Sequence, residues 1–227
     1  TDMESGFVVN NFGGEKQQKP PLGRTVGIEL YENESTGELY AFMAAGQRGI
    51  GVVNITDPLD PQFVKVFEPI KYEDEEIGHA DGRSVDVHVI GNHVYYSYAG
   101  FGVIVYTIAD LLEPVPDGVD PTEIFKKGSS GDVSFDYRPE TVSEFRLHEQ
   151  PGYEEYDAEA LYMEYTQTTE RLVFHVAYGG AGVVQLDLTD PADPQLLAVA
   201  DTVGECIDIA ILNGRLYAAD HEGGLAM

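Results

Sequence analysis

Apolar and polar positions alternate with a period of two along most of the chain. Val173, His175 and Ala177 alternate with Phe174, Val176 and Tyr178, the spacing of a strand whose two faces meet different surroundings. Gly179-Gly180-Ala181-Gly182 follows with residues that tolerate positive φ in a tight turn. Val183 to Leu188 returns as a second β-rich run and Thr189-Asp190-Pro191 stops it, because proline removes a ladder donor and aspartate bonds the backbone beyond itself. Asp193-Pro194 repeats the stop. Val173 to Leu196 therefore predicts strand, glycine turn, strand and terminator.

This unit recurs. Gly49 to Pro58 (GIGVVNITDP) aligns with Gly182 to Pro191 (GVVQLDLTDP), and each leads to a second Asp-Pro, Asp60-Pro61 or Asp193-Pro194. Gly102 to Asp110 is a third copy and Gly224-Leu225 begins a fourth. The turn glycines at 49, 102, 182 and 224 stand 53, 80 and 42 residues apart. A base period near 42 with insertions is the simplest account, and periods of roughly 40 to 50 residues are those of propeller blades. The expected fold is all-β, a propeller of four-stranded antiparallel blades over residues 23–69, 82–155, 156–203 and a partial 205–227, incomplete in this chain. Within the first blade, Thr25 to Tyr31 and Leu39 to Ala45 form a hairpin across Asn33 to Gly37, followed by Ile50 to Thr56 and Phe63 to Phe67. In the last, Asn213-Gly214 reads as a two-residue hairpin turn. Phe7 to Phe12 is a further strand, which in a closed ring would complete the last blade. The rhythm breaks over 111–155, where five prolines and Gly128-Ser129-Ser130-Gly131 read as a long insertion, a kind of segment often given over to function.

The repeats resemble the LVIVD repeat family. The resemblance is carried by Ser84 to Ala99 (SVDVHVIGNHVYYSYA), Cys206 to Asp220 (CIDIAILNGRLYAAD), and the two copies of GVV followed by TDPxDPQ at Gly49 to Gln62 and Gly182 to Gln195. It implies a β-propeller in secreted or cell-surface proteins of bacteria and archaea, and it implies no single activity.

Charge narrows the partners. Forty Asp plus Glu against thirteen Lys plus Arg leave a net charge of −27, which repels nucleic acid and anionic membrane surfaces. No apolar run reaches the length of a membrane span. The start, TDMESGFVVNN, lacks the basic and apolar regions of a signal peptide, and a signal already removed would leave the same appearance. A lone Cys206 excludes an internal disulfide framework and, within the alternation Cys206-Ile207-Asp208-Ile209, reads as a buried inert thiol.

Two sets of side chains carry candidate chemistry. An acid stands between apolar or small neighbours in each first strand: Glu29, Asp86, Glu159 and Asp208. First strands are innermost in a propeller, so the four carboxylates are expected to ring the channel, either holding a divalent cation such as calcium or accepting hydrogen bonds from the next blade's backbone. The second set is the loop face, expected to gather Arg48, Phe101, Tyr178, His221 and Glu222 from the turns and His79, Asp81 and Arg83 from the acidic connector. His and Asp there can ligate a transition metal or act as an acid–base pair, although no HExxH, CxxC or GxSxG pattern is present. His88, His93 and His175 sit in or beside strands and read as structural. The glycines of Gly179 to Gly182 precede a strand rather than a helix, so they do not form a phosphate loop. The expected function is a binding module for a protein or glycan at a surface. The alternative is a metal-dependent hydrolase or oxidoreductase with its site at the channel mouth.

Overall fold

A computed structural model describes residues 22, 24–68, 82–127, 133–156 and 160–227. The expected strand at Phe7 to Phe12 lies outside them. The chain is all-β, with four antiparallel sheets following one another in sequence.

Sheet 1 takes β1 (Gly27–Asn33), β2 (Glu38–Ala44), β3 (Ile50–Asn54) and β4 (Gln62–Phe67) in that order. Sheet 2 takes β5 (Arg83–Ile90), β6 (His93–Ala99) and β7 (Gly102–Thr107), which leads into one helical turn, α1 (Ile108–Leu112). A small hairpin of β8 (Phe125–Lys127) and β9 (Val133–Asp136) intervenes before β10 (Ser143–Phe145) returns to pair with β7 as the fourth strand of sheet 2. Sheet 3 holds β11 (Met163–Gln167), β12 (Leu172–Ala177), β13 (Val183–Asp187) and β14 (Gln195–Ala200). Sheet 4 has three strands among the described residues: β15 (Cys206–Leu212), β16 (Arg215–Asp220) and β17 (Gly224–Ala226).

Turn chemistry explains the hairpins. Asn213 and Gly214 both take positive φ, 52° and 72°, the backbone that a two-residue turn needs to match strand twist. At each TDP, the threonine hydroxyl accepts the N–H that begins the second strand, Leu39 N to Thr56 Oγ1 at 2.9 Å and Leu172 N to Thr189 Oγ1 at 3.0 Å. The aspartates are spent locally: Asp57 accepts Leu59 N, Asp190 accepts Ala192 N, and Asp60 and Asp193 take the amides of Gln62 and Gln195. The TDPxDPQ motif is thus a loop that satisfies its own polar groups.

The central sheets are buried on both faces, which is why their strands read as apolar runs. Phe42, Ile50 and Val52 of sheet 1 pack against Val94, Tyr96, Tyr98 and Ile104 of sheet 2. On its other face, Tyr95, Val103 and Val105 meet Met163, Phe174 and Val176 of sheet 3. Ala177 and Val183 of sheet 3 then meet Cys206, Ile209 and Ala218 of sheet 4. Cys206 is fully buried, and burial pushes its thiol up to about 11.

The segment 111–155 packs against the core as well as supplying β10. Ile124 is buried between sheets 1 and 2, Val66 N donates to Pro121 O at 2.8 Å, and Arg138 lies 3.9 Å above the Phe125 ring.

Backbone joints link the sheets. Ser84 N of β5 donates to Gly46 O in the β2–β3 turn at 3.1 Å, and the Ser84 hydroxyl donates to Gly49 O. Gly179 in the β12–β13 turn exchanges hydrogen bonds with Cys206 of β15 at 3.1 and 2.9 Å. The turn glycines Gly49, Gly102, Gly182 and Gly224 all have φ between 78° and 133°. A Cβ at the first three would overlap the carbonyl oxygen of Phe67, Phe145 or Ala200, the last residue of the fourth strand in each sheet; at Gly224 it would meet nothing within 4 Å.

Alanine at Gly49, Gly102 or Gly182 therefore combines backbone strain with a steric overlap and is expected to cost more than about 2 kcal/mol in urea unfolding. Gly224→Ala carries the strain alone and is expected to cost about 1 kcal/mol. Equal losses at all four positions would contradict the overlap.

Candidate functional site

A cavity of about 810 Å³ opens where the four sheets converge. Sheet 1 contributes Arg24, Val26, Gly46, Gln47, Arg48 and Glu68, with Arg24 and Val26 leading into β1 and Gly46 to Arg48 forming the β2–β3 turn. The start of β5 contributes Arg83 and Val85, the approach to β11 contributes Leu161 and Tyr162, and β15 contributes Ile207. Among the described residues, three arginines and one glutamate line this space, in a chain with 13 basic and 40 acidic side chains. Arg24 and Arg83 are exposed and form no ion pair with a described carboxylate. The apolar walls are unusually open: Val26, Tyr162 and Ile207 are 39%, 39% and 41% exposed.

The structure brings part of the expected loop face together. Arg48 and Arg83 share the cavity. Phe101 and Tyr178 do not present to a ligand, because both are core residues. The Arg146 guanidinium covers the Phe101 ring at 3.8 Å, and the Tyr178 hydroxyl accepts Leu147 N at 3.2 Å. Aromatic rings in these turns gain more from burial under the neighbouring chain than from solvent exposure. His221 and Glu222 are exposed in the equivalent turn of sheet 4, outside the cavity lining. His79 and Asp81 lie outside the described residues. Arg24 and Tyr162 are lining residues that the repeat pattern missed, since each precedes its first strand rather than standing in a repeated turn.

The acids divide by register. Asp86 faces Ser97 and Asp208 faces Ala219, each beside a β-bulge. Their backbone contacts match: Asp86 Oδ1 accepts Val87 N at 2.9 Å and Asp208 Oδ1 accepts Ile209 N at 2.8 Å. Asp86 Oδ2 also accepts Met163 N from sheet 3 at 3.0 Å, so this carboxylate serves as a joint between sheets. Glu29 is not their counterpart. It pairs with Phe42 as His88 pairs with Tyr95, each partner standing seven residues before its turn glycine. Glu159 falls outside the described residues. The first-strand alignment thus conceals two register positions: Asp86 and Asp208 match Gly27 of β1, two residues before Glu29.

His88 sits between these groups. Its Nε2 lies 2.9 Å from Met163 O, completing a two-point link between sheets 2 and 3, and its ring meets Tyr165 and Phe174 edge-on. Glu29 Oε2 is 3.9 Å from His88 Nδ1 and Asp86 Oδ2 is 3.7 Å from Nε2. Burial raises the pKa of both Asp86 and Glu29, and His88 partly offsets each shift. No group of three or more His, Cys, Asp or Glu among the described residues is arranged to hold a metal ion. No described helix is long and apolar enough to cross a membrane.

No family model matches the chain, and no curated protein matches it. Among solved structures, the computationally designed Ika4 protein is similar over 96% of this chain and 97% of its own, with a TM-score of 0.50 and 10% identity. The designed Ika8 protein covers 88% of this chain and 44% of its own, with a TM-score of 0.48 and 10% identity. BamB from Moraxella catarrhalis covers 89% and 56%, with a TM-score of 0.35 and 13% identity.

Asp86→Asn leaves one side-chain acceptor where two backbone N–H groups each use one, and is expected to cost about 1–2 kcal/mol. Asp208→Asn, with Ile209 N as its partner, is expected to cost less. Both losses should be the same with and without calcium; calcium dependence would mark these acids as ligands instead. The folded Asp86 carboxyl titrates above its ordinary 3.8, so the folded chain binds that proton more tightly. Its contribution to stability is full below 3.8 and is lost as pH rises through the folded pKa. Carboxyl chemical-shift titration reads the raised value directly.

Proposed function

We propose that the four sheets are blades of a β-propeller, and that the chain is an LVIVD-repeat-like binding module, secreted or at a cell surface, taking its ligand in the cavity where the first strands meet. The observation that carries this reading is that one cavity draws its lining from all four sheets. Several features support the propeller arrangement: four-stranded antiparallel sheets in chain order, turn-to-first-strand joints at corresponding places, cores shared by successive sheets, and similarity to one designed protein along nearly the whole of both chains. Four-stranded sheets set around a central channel are the propeller plan.

A concave space of about 810 Å³ falls within the size range of small-ligand pockets. It suits a saccharide or another compact molecule better than the flat surface of a globular partner. Ile207 reaches the cavity from an exposed position on β15, so a larger side chain there fills the space without entering the core.

Calorimetric titration with neutral and acidic trisaccharides tests this directly. Ile207→Trp, and independently Gln47→Trp in the exposed β2–β3 turn, should abolish binding of whichever ligand the parent takes, with melting temperature unchanged. Undiminished binding in both variants would place the site elsewhere.

A further inference from the structure

The cavity lining reverses the charge of the chain that builds it. At a net charge of −27, long-range electrostatics disfavour anionic ligands, yet Arg24, Arg48 and Arg83 converge on one space with Glu68 as the single lining carboxylate among the described residues. Three distant stretches supply them: the approach to β1, the β2–β3 turn and the start of β5. Neither Arg24 nor Arg83 is neutralised by a described carboxylate. Arg138, Arg146 and Arg171 each pair with an aspartate or glutamate at 2.5 to 3.2 Å, while Arg215 of β16 also forms no ion pair with a described carboxylate. The like charges of Arg24 and Arg83 on one concavity repel each other, and a bound anion relieves that repulsion while meeting planar, multidentate donors.

Resting on the cavity reading above, we infer that this site recognises a carboxylate-bearing ligand with an apolar or ring-shaped body. The arginines supply the carboxylate contacts, and Gln47 and the Tyr162 hydroxyl offer neutral hydrogen bonds. Val26, Ile207 and the Tyr162 ring form apolar walls on which a ring face can rest. The joint between sheets 1 and 2 fixes the geometry. Ser84, fully buried and next to Arg83, is bonded to Gly46 and Gly49, which bracket Gln47 and Arg48. Arg48 and Arg83 are therefore held across one bonded seam rather than on separate mobile loops.

Citrate, a free polycarboxylate, and trigalacturonate, a carboxylated saccharide, are the two probes, with maltotriose as the neutral control. Calorimetry on the full chain is expected to show binding of one or both anions, weakening as salt rises. Arg24→Gln and Arg83→Gln are each expected to weaken that binding about tenfold or more, with unchanged melting temperature because both side chains are exposed. Citrate binding alone would identify the source as a free organic acid; a preference for trigalacturonate would identify it as a glycan. If the parent binds neither anion, or if both glutamine variants bind them undiminished, the inference is overturned. Maltotriose bound by the parent and lost in Ile207→Trp, with both anions ignored, would retain the cavity as a site and reject its anion specificity. Anion binding that survives Ile207→Trp and Gln47→Trp would reject the cavity itself.

Discussion

Everything in this chain depends on how the turn of one sheet is bonded to the first strand of the next. A four-stranded antiparallel sheet satisfies its interior but leaves edges and two faces to be covered. Here the β2–β3 turn closes on β5 through Gly46 and Ser84, and the β12–β13 turn closes on β15 through Gly179 and Cys206. Between sheets 2 and 3 side chains do the same work, with Asp86 accepting Met163 N and His88 bonded to Met163 O. Within sheets 1 to 3 the turn lies against its own fourth strand because its last glycine carries no Cβ against that strand's final carbonyl.

That constraint also separates residues spent on the fold from those that vary between the repeats. The glycine turns, the TDP loops and Asp86 are spent on the fold, since their polar groups are bonded to backbone within a sheet or across a joint. Other residues at the same places depart from the repeat. Arg48 stands in a turn where the sheet 3 copy has Ala181, and Arg83 stands where the sheet 4 copy has Glu205.

Most strands were legible because period-two alternation and turn residues act locally. The Asn33 to Gly37 hairpin and the Asn213-Gly214 turn needed no long-range information, and TDP fixed the end of the third strand in both copies. Long-range consequences were hidden. β10 pairs with β7 from a segment without repeat rhythm, because a three-residue strand carries too little pattern to announce itself. The acid alignment failed because Glu29 lies two register positions from Asp86 and Asp208, and the burial of Phe101 and Tyr178 depends on Arg146 and Leu147, which arrive from that same segment. Only Arg48 and Arg83 of the site were visible, as turn and connector residues; Arg24 and Tyr162 emerged only when the sheets were brought together.

Amide hydrogen exchange of Ser84, Met163 and Cys206, followed residue by residue by NMR, addresses the joints most directly. Each of these N–H groups donates across a seam between sheets. If the seams bind the sheets into one cooperative body, these three amides should exchange as slowly as that of the fully buried Val94 of β6, through global unfolding. Fast exchange at all three while Val94 stays protected would mean four sheets that lie side by side without being joined, and no cavity held in a fixed shape between them.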